Sequence, residues 1–92
     1  MPFCTVVEWD RDFDISVLHE LNERAGAPDG LPDGCLSRIV GAVDTGARVI
    51  EVWESPDDAR KFSEEHGPAI GALKIPPPDR VAAFETSVYL AQ

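Results

Sequence analysis

Apolar and polar positions alternate over Phe3 to Trp9, where Phe3, Thr5, Val7 and Trp9 share one face; the valine, threonine and aromatic content predicts a first strand. Asp12 or Asp14 can then cap a helix, because a short side-chain oxygen accepts from the free amides of a first turn. Ile15, Leu18, Leu21, Asn22 and Ala25 recur at helical spacing and Gly26 supplies a stop. Residues 27–34 carry two Pro-Asp-Gly turn signals and read as a loop. Two extended runs follow, Cys35 to Val43 and residues 47–54, separated by Asp44, Thr45 and Gly46, which is a hairpin signal. A two-residue and a three-residue turn differ by one position and send Arg38 to opposite faces, so the pattern alone leaves Arg38 unplaced.

Ser55-Pro56-Asp57-Asp58 combines a hydroxyl cap, a proline where no amide is needed and two acids at the positive end of the helix dipole, and predicts a second helix. Ala59, Phe62, His66, Ala69, Ile70 and Leu73 give it an apolar stripe, and Gly67-Pro68 is expected to kink or break it after His66. Ile75-Pro76-Pro77-Pro78 reads as a stiff connector, and residues 81–91 alternate again, with Phe84, Thr86, Val88 and Leu90 on one face. The order β-α-β-β-α-β predicts an α+β, ferredoxin-like domain: a four-stranded antiparallel sheet with both helices on one face. The uncovered side, with Val6, Val49, Trp53, Ala83 and Tyr89 assigned to it, is expected to pack against a second copy in a two-fold homodimer.

A length of 92 residues predicts one domain spanning the whole chain, 1–92, with a thin core to which a subunit partner adds stability. The formal charge of -9 repels phosphate backbones and anionic lipid, so neither nucleic acid nor a membrane is expected as a partner. No apolar run reaches the length of a membrane span, and the opening residues lack a basic stretch and an apolar core, so no secretory signal is expected and the expected location is the cytoplasm. Cys4 and Cys35 are far apart in strand-like runs and read as free, buried thiols.

The junction Val52-Trp53-Glu54-Ser55, followed by Ala59 and Phe62, resembles the strand-to-helix passage of the dimeric α+β barrel superfamily, which includes antibiotic-biosynthesis-monooxygenase-like small proteins. The local motif covers about ten residues, while the similarity in element order spans the chain. The resemblance implies a homodimer with a ligand cavity in each subunit, between sheet and helices. It also implies chemistry on phenolic or polyketide-like molecules: cofactor-free monooxygenation, cyclisation or isomerisation.

Candidate chemistry is sparse. His66 interrupts the stripe of the second helix and is expected to point toward the sheet, where an imidazole can move a proton near neutral pH; the competing reading is a structural histidine at a helix end. Trp9, Phe62 and Phe84, with Ile50 and Val52, are assigned to the helix-facing side as cavity walls or ordinary core, and Trp53 and Tyr89 to the dimer contact. Glu8, Glu51 and Glu85 sit inside strands, with Arg38 and Arg48 available to neutralise them. Zinc-hydrolase, dinucleotide, Walker and Ser-His-Asp signatures are missing, and no metal or cofactor is expected. Pro2 offers another route: the Met-Pro-Phe opening resembles the tautomerase superfamily, whose N-terminal proline is a general base, although the order of elements after the first strand departs from that family. The leading expectation is a homodimer that binds, and as an enzyme transforms, an apolar small molecule. The rival is a ligand-binding or structural dimer without turnover.

Overall fold

A computed structural model describes residues 1–25 and 30–91, and six elements follow in the expected order: β1 (Phe3–Trp9), α1 (Ser16–Ala25), β2 (Cys35–Val43), β3 (Gly46–Trp53), α2 (Pro56–Ala72) and β4 (Arg80–Glu85). The expected stop at Gly26 and the loop positions 27–29 lie outside the described residues. Asp14 is the residue that starts α1, its carboxylate accepting from the Ser16 amide at 2.9 Å. Ser55 caps α2 by accepting from the Asp58 amide, with Pro56 in the first turn beside Asp57 and Asp58. The expected kink does not occur: α2 runs through Gly67 and Pro68 to Ala72. Both residues are exposed, so the one carbonyl that loses its partner to proline can turn to water.

The strands form one antiparallel sheet in the order β2-β3-β1-β4, giving the ferredoxin-like βαββαβ arrangement. Val43 pairs with Gly46, so the hairpin turns on Asp44 and Thr45 alone, and this sets Arg38 opposite Glu51 on the helix-covered face. Gly46 fits because its missing side chain would collide with the carbonyl of Trp9. Leu36 is the extra residue of a bulge between Cys35 and Ser37. Gly34, just before it, adopts a φ of 78° with the Asp58 side chain where a Cβ would stand, so the β2 entry and the start of α2 lock together only around glycine.

Register fixes which residues share a face. Phe3, Thr5, Val7 and Trp9 of β1 meet Trp53, Glu51, Val49 and Ala47 of β3 under the helices, while Cys4 and Val6 meet Val52 and Ile50 on the other side. Several expectations are therefore corrected. Ile50, Val52 and Phe84 lie on the open face, and Val49, Trp53 and Ala83 on the covered one. The reason lies in β3, where both faces mix apolar and charged residues and the alternation has no built-in sign. Trp53 is buried to 1% exposure against Phe62, with ring centroids 5.4 Å apart, and the Glu51 carboxylate that burial drags inside is met by Arg38. The last strand also ends early, at Glu85, so Val88, Tyr89 and Leu90 lie beyond the sheet.

The core under α1 joins Trp9, Leu18, Ala47 and Val49, with Val7, Phe13, Ile15, Val17, Val40 and Ile75 packed around them. Across the open face a row of apolar side chains, Ile39-Ile50-Val6-Ala82, crosses all four strands, and Phe84 stands beside it, half exposed. Among the described residues no helix is long and apolar enough to cross a membrane.

Candidate functional site: a cleft between sheet and helices

The covered face is not completely filled. A cleft of about 510 Å³ opens between the sheet and α2, walled by Val7, Trp9, Leu18, Leu21, Val49 and Phe62 and edged by the connector Ile75-Pro76-Pro77-Pro78. The connector is held by Trp9, whose indole Nε1 donates to the Pro76 carbonyl at 2.7 Å, and by the Asp79 amide, which donates to the Glu8 carbonyl at 2.8 Å. Three prolines restrict the backbone of this edge, so its shape is set before any ligand arrives.

Two charged side chains interrupt the apolar wall, Arg38 from β2 and Glu51 from β3. Their side chains are 6% and 10% exposed, and Arg38 Nη1 stands 3.6 Å from Glu51 Oε2, close enough for charge attraction but too far for a hydrogen bond. Glu51 Oε1 accepts from the Thr5 hydroxyl at 3.3 Å. Arg38 Nε and Nη1, Glu51 Oε2 and the indole Nε1 of Trp53 are buried with no hydrogen-bond partner among the described residues. Each such group costs about 1–3 kcal/mol relative to a satisfied one, so the wall carries polar capacity that the fold leaves unused. Burial pushes the Glu51 carboxyl above the usual carboxylate range, while Arg38 and the Thr5 hydroxyl pull the other way. The neighbouring Cys35 thiol is pushed up to about 11 by burial and by the charge of Glu51, so it stays protonated and unreactive near neutral pH.

Phe62 organises this wall. Its ring packs on Trp53, lies under the Arg38 guanidinium at 5.5 Å and meets the tilted His66 ring at 4.6 Å. His66 accordingly does not reach the cleft. It faces an outer groove of about 400 Å³ with Pro32, Asp33, Asp58, Lys61 and Glu65. Helical spacing puts His66 on the same stripe as Phe62, but one turn further along, and the larger ring occupies the side toward Arg38. Of the expected walls, Trp9 and Phe62 line the cleft, whereas Phe84, Ile50 and Val52 sit on the opposite face of the sheet.

Pro2 is at the sheet margin, its carbonyl accepting from the Thr86 amide and hydroxyl at 2.8 and 2.7 Å, and it lines neither cavity. With β1 antiparallel to both neighbours, the topology also departs from the parallel pairing of the tautomerase resemblance. Among the described residues no three His, Cys, Asp or Glu side chains converge on a point that could hold a metal ion. Glu51 and Arg38 were missed as cleft residues by sequence reasoning, although the two-residue reading of the Asp44-Thr45 turn would have set them opposite each other.

No protein-family model matches the chain, and no curated protein matches it in sequence. Solved structures do match in shape. A Chloroflexus aurantiacus protein provisionally assigned as an antibiotic biosynthesis monooxygenase superposes with a TM-score of 0.71 at 16% identity, covering 99% of this chain and 98% of its own. A variant of SnoaB, a cofactor-independent oxygenase from Streptomyces nogalater, gives a TM-score of 0.67 at 16% identity over 99% and 98% of the two chains. The ActVA-Orf6 monooxygenase of Streptomyces coelicolor, in complex with nanaomycin D, gives 0.58 at 22% identity over 98% and 91%. The likeness is one of fold, and it agrees with the superfamily resemblance carried by the Trp53 junction.

Proposed function

We propose that this chain, acting as one domain over residues 1–92, is the subunit of a cytoplasmic homodimer that takes an apolar, phenolic or polyketide-like molecule into the cleft. There it oxidises, cyclises or isomerises that molecule without a metal or nucleotide. The observation behind this reading is the cleft itself: an apolar pocket of ligand size with a small number of buried polar groups in its wall. Two proteins of the same fold lend support, one a cofactor-independent oxygenase and one a monooxygenase in complex with nanaomycin D. Trp9 and Phe62 serve as walls. Proton handling at the ligand falls to Glu51, since the Phe62 ring separates His66 from the cleft.

The dimer closes over the open face, where the row Ile39-Ile50-Val6-Ala82 and Phe84 would meet their symmetry copies sheet against sheet, completing the dimeric α+β barrel. Tyr89 remains a contact of this interface, and Trp53 is withdrawn from it because it is buried under α2. Light scattering at micromolar concentration is expected to give twice the chain mass, and Ile39→Glu to return it to one; a monomeric wild type would overturn the dimer.

The cleft is tested with N-phenyl-1-naphthylamine, a neutral fluorescent aromatic, which is expected to bind once per chain and to be lost in Ser63→Trp, a plug at the cleft wall. No saturable binding would overturn the ligand reading. A binding protein without turnover is the second reading, favoured by the position of His66 outside the cleft. Oxygen uptake and product masses over a panel of phenolic polycycles separate the two.

A further inference from the structure

The unused polar atoms in the cleft wall define what kind of ligand fits it. Apart from the Thr5 hydroxyl donating to Glu51, neither the Arg38 nor the Glu51 side chain has a hydrogen bond to the rest of the fold among the described residues, and their mutual contact is loose at 3.6 Å. A guanidinium in this state, nine-tenths buried and lining an apolar cleft, keeps unused donors that suit an anion, and no hydrogen bond ties it to its present counter-ion. As a pair the two charges cancel. An entering anion that pairs with Arg38 leaves two negative groups and one positive in a space screened from water, which is unfavourable unless one negative charge is removed. Glu51 is the group able to remove it.

We propose that the Arg38-Glu51 pair is a proton-coupled receptor for the anionic oxygen of an apolar ligand, a carboxylate or an enolate: the anion takes over the guanidinium, and Glu51 takes up one proton from solvent as it is displaced. The inference rests on the proposed ligand role of the cleft and adds to it the charge of the ligand and the sign of its pH dependence. No covalent bond changes. The ligand oxygen accepts from Arg38 Nε or Nη1, which lie on different edges of the guanidinium, once the side chain turns one of these covered donors toward the cleft, and the protonated Glu51 becomes a donor that can turn to the same oxygen.

The groups around Glu51 leave it as the one that titrates. From β2 it faces Arg38 and the Cys35 thiol, which stays protonated near neutral pH; from β1 it faces the Thr5 hydroxyl. From α2, Phe62 and Ser63 line the same cleft, with His66 against the Phe62 ring, while α1 and β4 present Leu18, Leu21 and Val81 to it. Of the charged residues of α2, Asp57, Arg60, Lys61, Glu64 and Glu65 are exposed, with Arg60 paired to Asp57 and Glu64, and the partly buried Asp58 carboxylate accepts from the Ser55 hydroxyl. The desolvation that already favours the neutral acid makes proton uptake easier for Glu51 than for an exposed carboxylate.

The test uses two probes that differ in one group. These are 1-anilinonaphthalene-8-sulfonate, whose sulfonate stays ionised at every working pH, and N-phenyl-1-naphthylamine, which lacks it. Calorimetric titration of the full chain in buffers of different ionisation enthalpy counts the protons exchanged. About one proton taken up per bound anion is expected, with affinity falling about tenfold per pH unit where Glu51 is ionised in the free protein and neutral in the complex. The neutral probe is expected to exchange none. Glu51→Gln is expected to abolish the uptake and to bind the anion more tightly at alkaline pH, and Arg38→Met to lose the preference for the anion. Ser63→Trp is expected to remove both signals, which ties them to the cleft.

Binding of the anion with no proton exchange, or uptake that survives Glu51→Gln, overturns the proposal while leaving the cleft intact as a site for neutral ligands. Binding of neither probe removes the cleft reading and this inference together. Because the proton count is made on the wild-type protein, the proposal can fail even if a variant does not fold.

Discussion

Arg48 and Glu51 stand three positions apart on β3 and point to opposite faces of the sheet, and the charge clusters they belong to behave in opposite ways. On the open side, Arg48 meets Glu8 and Asp10, each at 3.0 Å, and Arg80 meets the same two carboxylates. Arg48 Nη1 also donates to the carbonyls of Trp9 and Ala47 at 2.9 Å. All three guanidinium nitrogens of Arg48 have a partner, and water reaches the half-exposed Arg80. On the covered side, Arg38 and Glu51 have each other at 3.6 Å and little else. A solvated network tidies the end of a sheet and adds little to stability. A buried, incompletely bonded pair is a standing expense, and it lies where a ligand-sized cleft meets the core.

The sharpest way to break this contrast is to remove one member of the buried pair. Arg38→Met leaves the Glu51 carboxylate buried without a counter-charge, and the stability measured by urea unfolding near neutral pH is expected to fall by about 3–5 kcal/mol. The double variant Arg38→Met, Glu51→Gln is expected to recover most of that loss, since it replaces two charges by groups that need none. A double variant as unstable as the single one would show that Arg38 acts through its packing on Phe62 instead.

Titration separates the clusters by sign. The guanidinium of Arg80 beside Asp10, and of Arg11 beside Asp79, hold those carboxyls below the usual range, as the Ser16 amide does for Asp14. Groups with a lowered native pKa contribute stability above their unfolded pKa, and it is lost as pH falls through the native value. Glu51 is raised, so its contribution is fully present below the unfolded carboxylate pKa and is lost as pH rises through its native value. Thermal unfolding midpoints are expected to drop on both sides, and Glu51→Gln to flatten the alkaline limb while leaving the acid limb in place. An unchanged alkaline limb would remove Glu51 from the account.

Much of the architecture was legible because its signals are local. Asp14, Ser55 and Pro56 start helices by their own side-chain chemistry, and the Val- and Thr-rich runs could be read as strands without knowing their partners. The faces of β3 and β4 were not legible, since they depend on a single-residue choice of turn and on which neighbour covers Trp53. The alternation was read one position out of phase on β3 and again on β4, which put Ile50, Val52 and Phe84 on the wrong side and kept Glu51 out of the cleft, while the open choice of turn left Arg38 unplaced. His66 was misplaced for a related reason: spacing gives the stripe of α2, but the contact of Phe62 with both Trp53 and Arg38 decides which member of the stripe reaches the cleft.

Smaller effects sharpen the comparison from the outside. Ser55 both accepts from the Asp58 amide and donates to the Asp58 carboxylate at 2.8 Å, and this cap fixes the start of the helix that carries Phe62, the ring under the Arg38 guanidinium. Ser55→Ala is expected to cost about 1 kcal/mol in urea unfolding and to loosen the cleft wall, seen as weaker binding of N-phenyl-1-naphthylamine. The smallest change is expected from Arg48→Met. Glu8 and Asp10 keep Arg80 as a partner, and solvent at the sheet end screens what remains, so the shift in unfolding midpoint should lie below that of Ser55→Ala and shrink further as salt is added. The Arg38→Met loss should persist in the same salt series, because a pair this buried between the sheet and α2 is screened far less than an exposed one. If salt erased both effects alike, the two clusters would be electrostatically equivalent, and the covered face would have no claim to a distinct role.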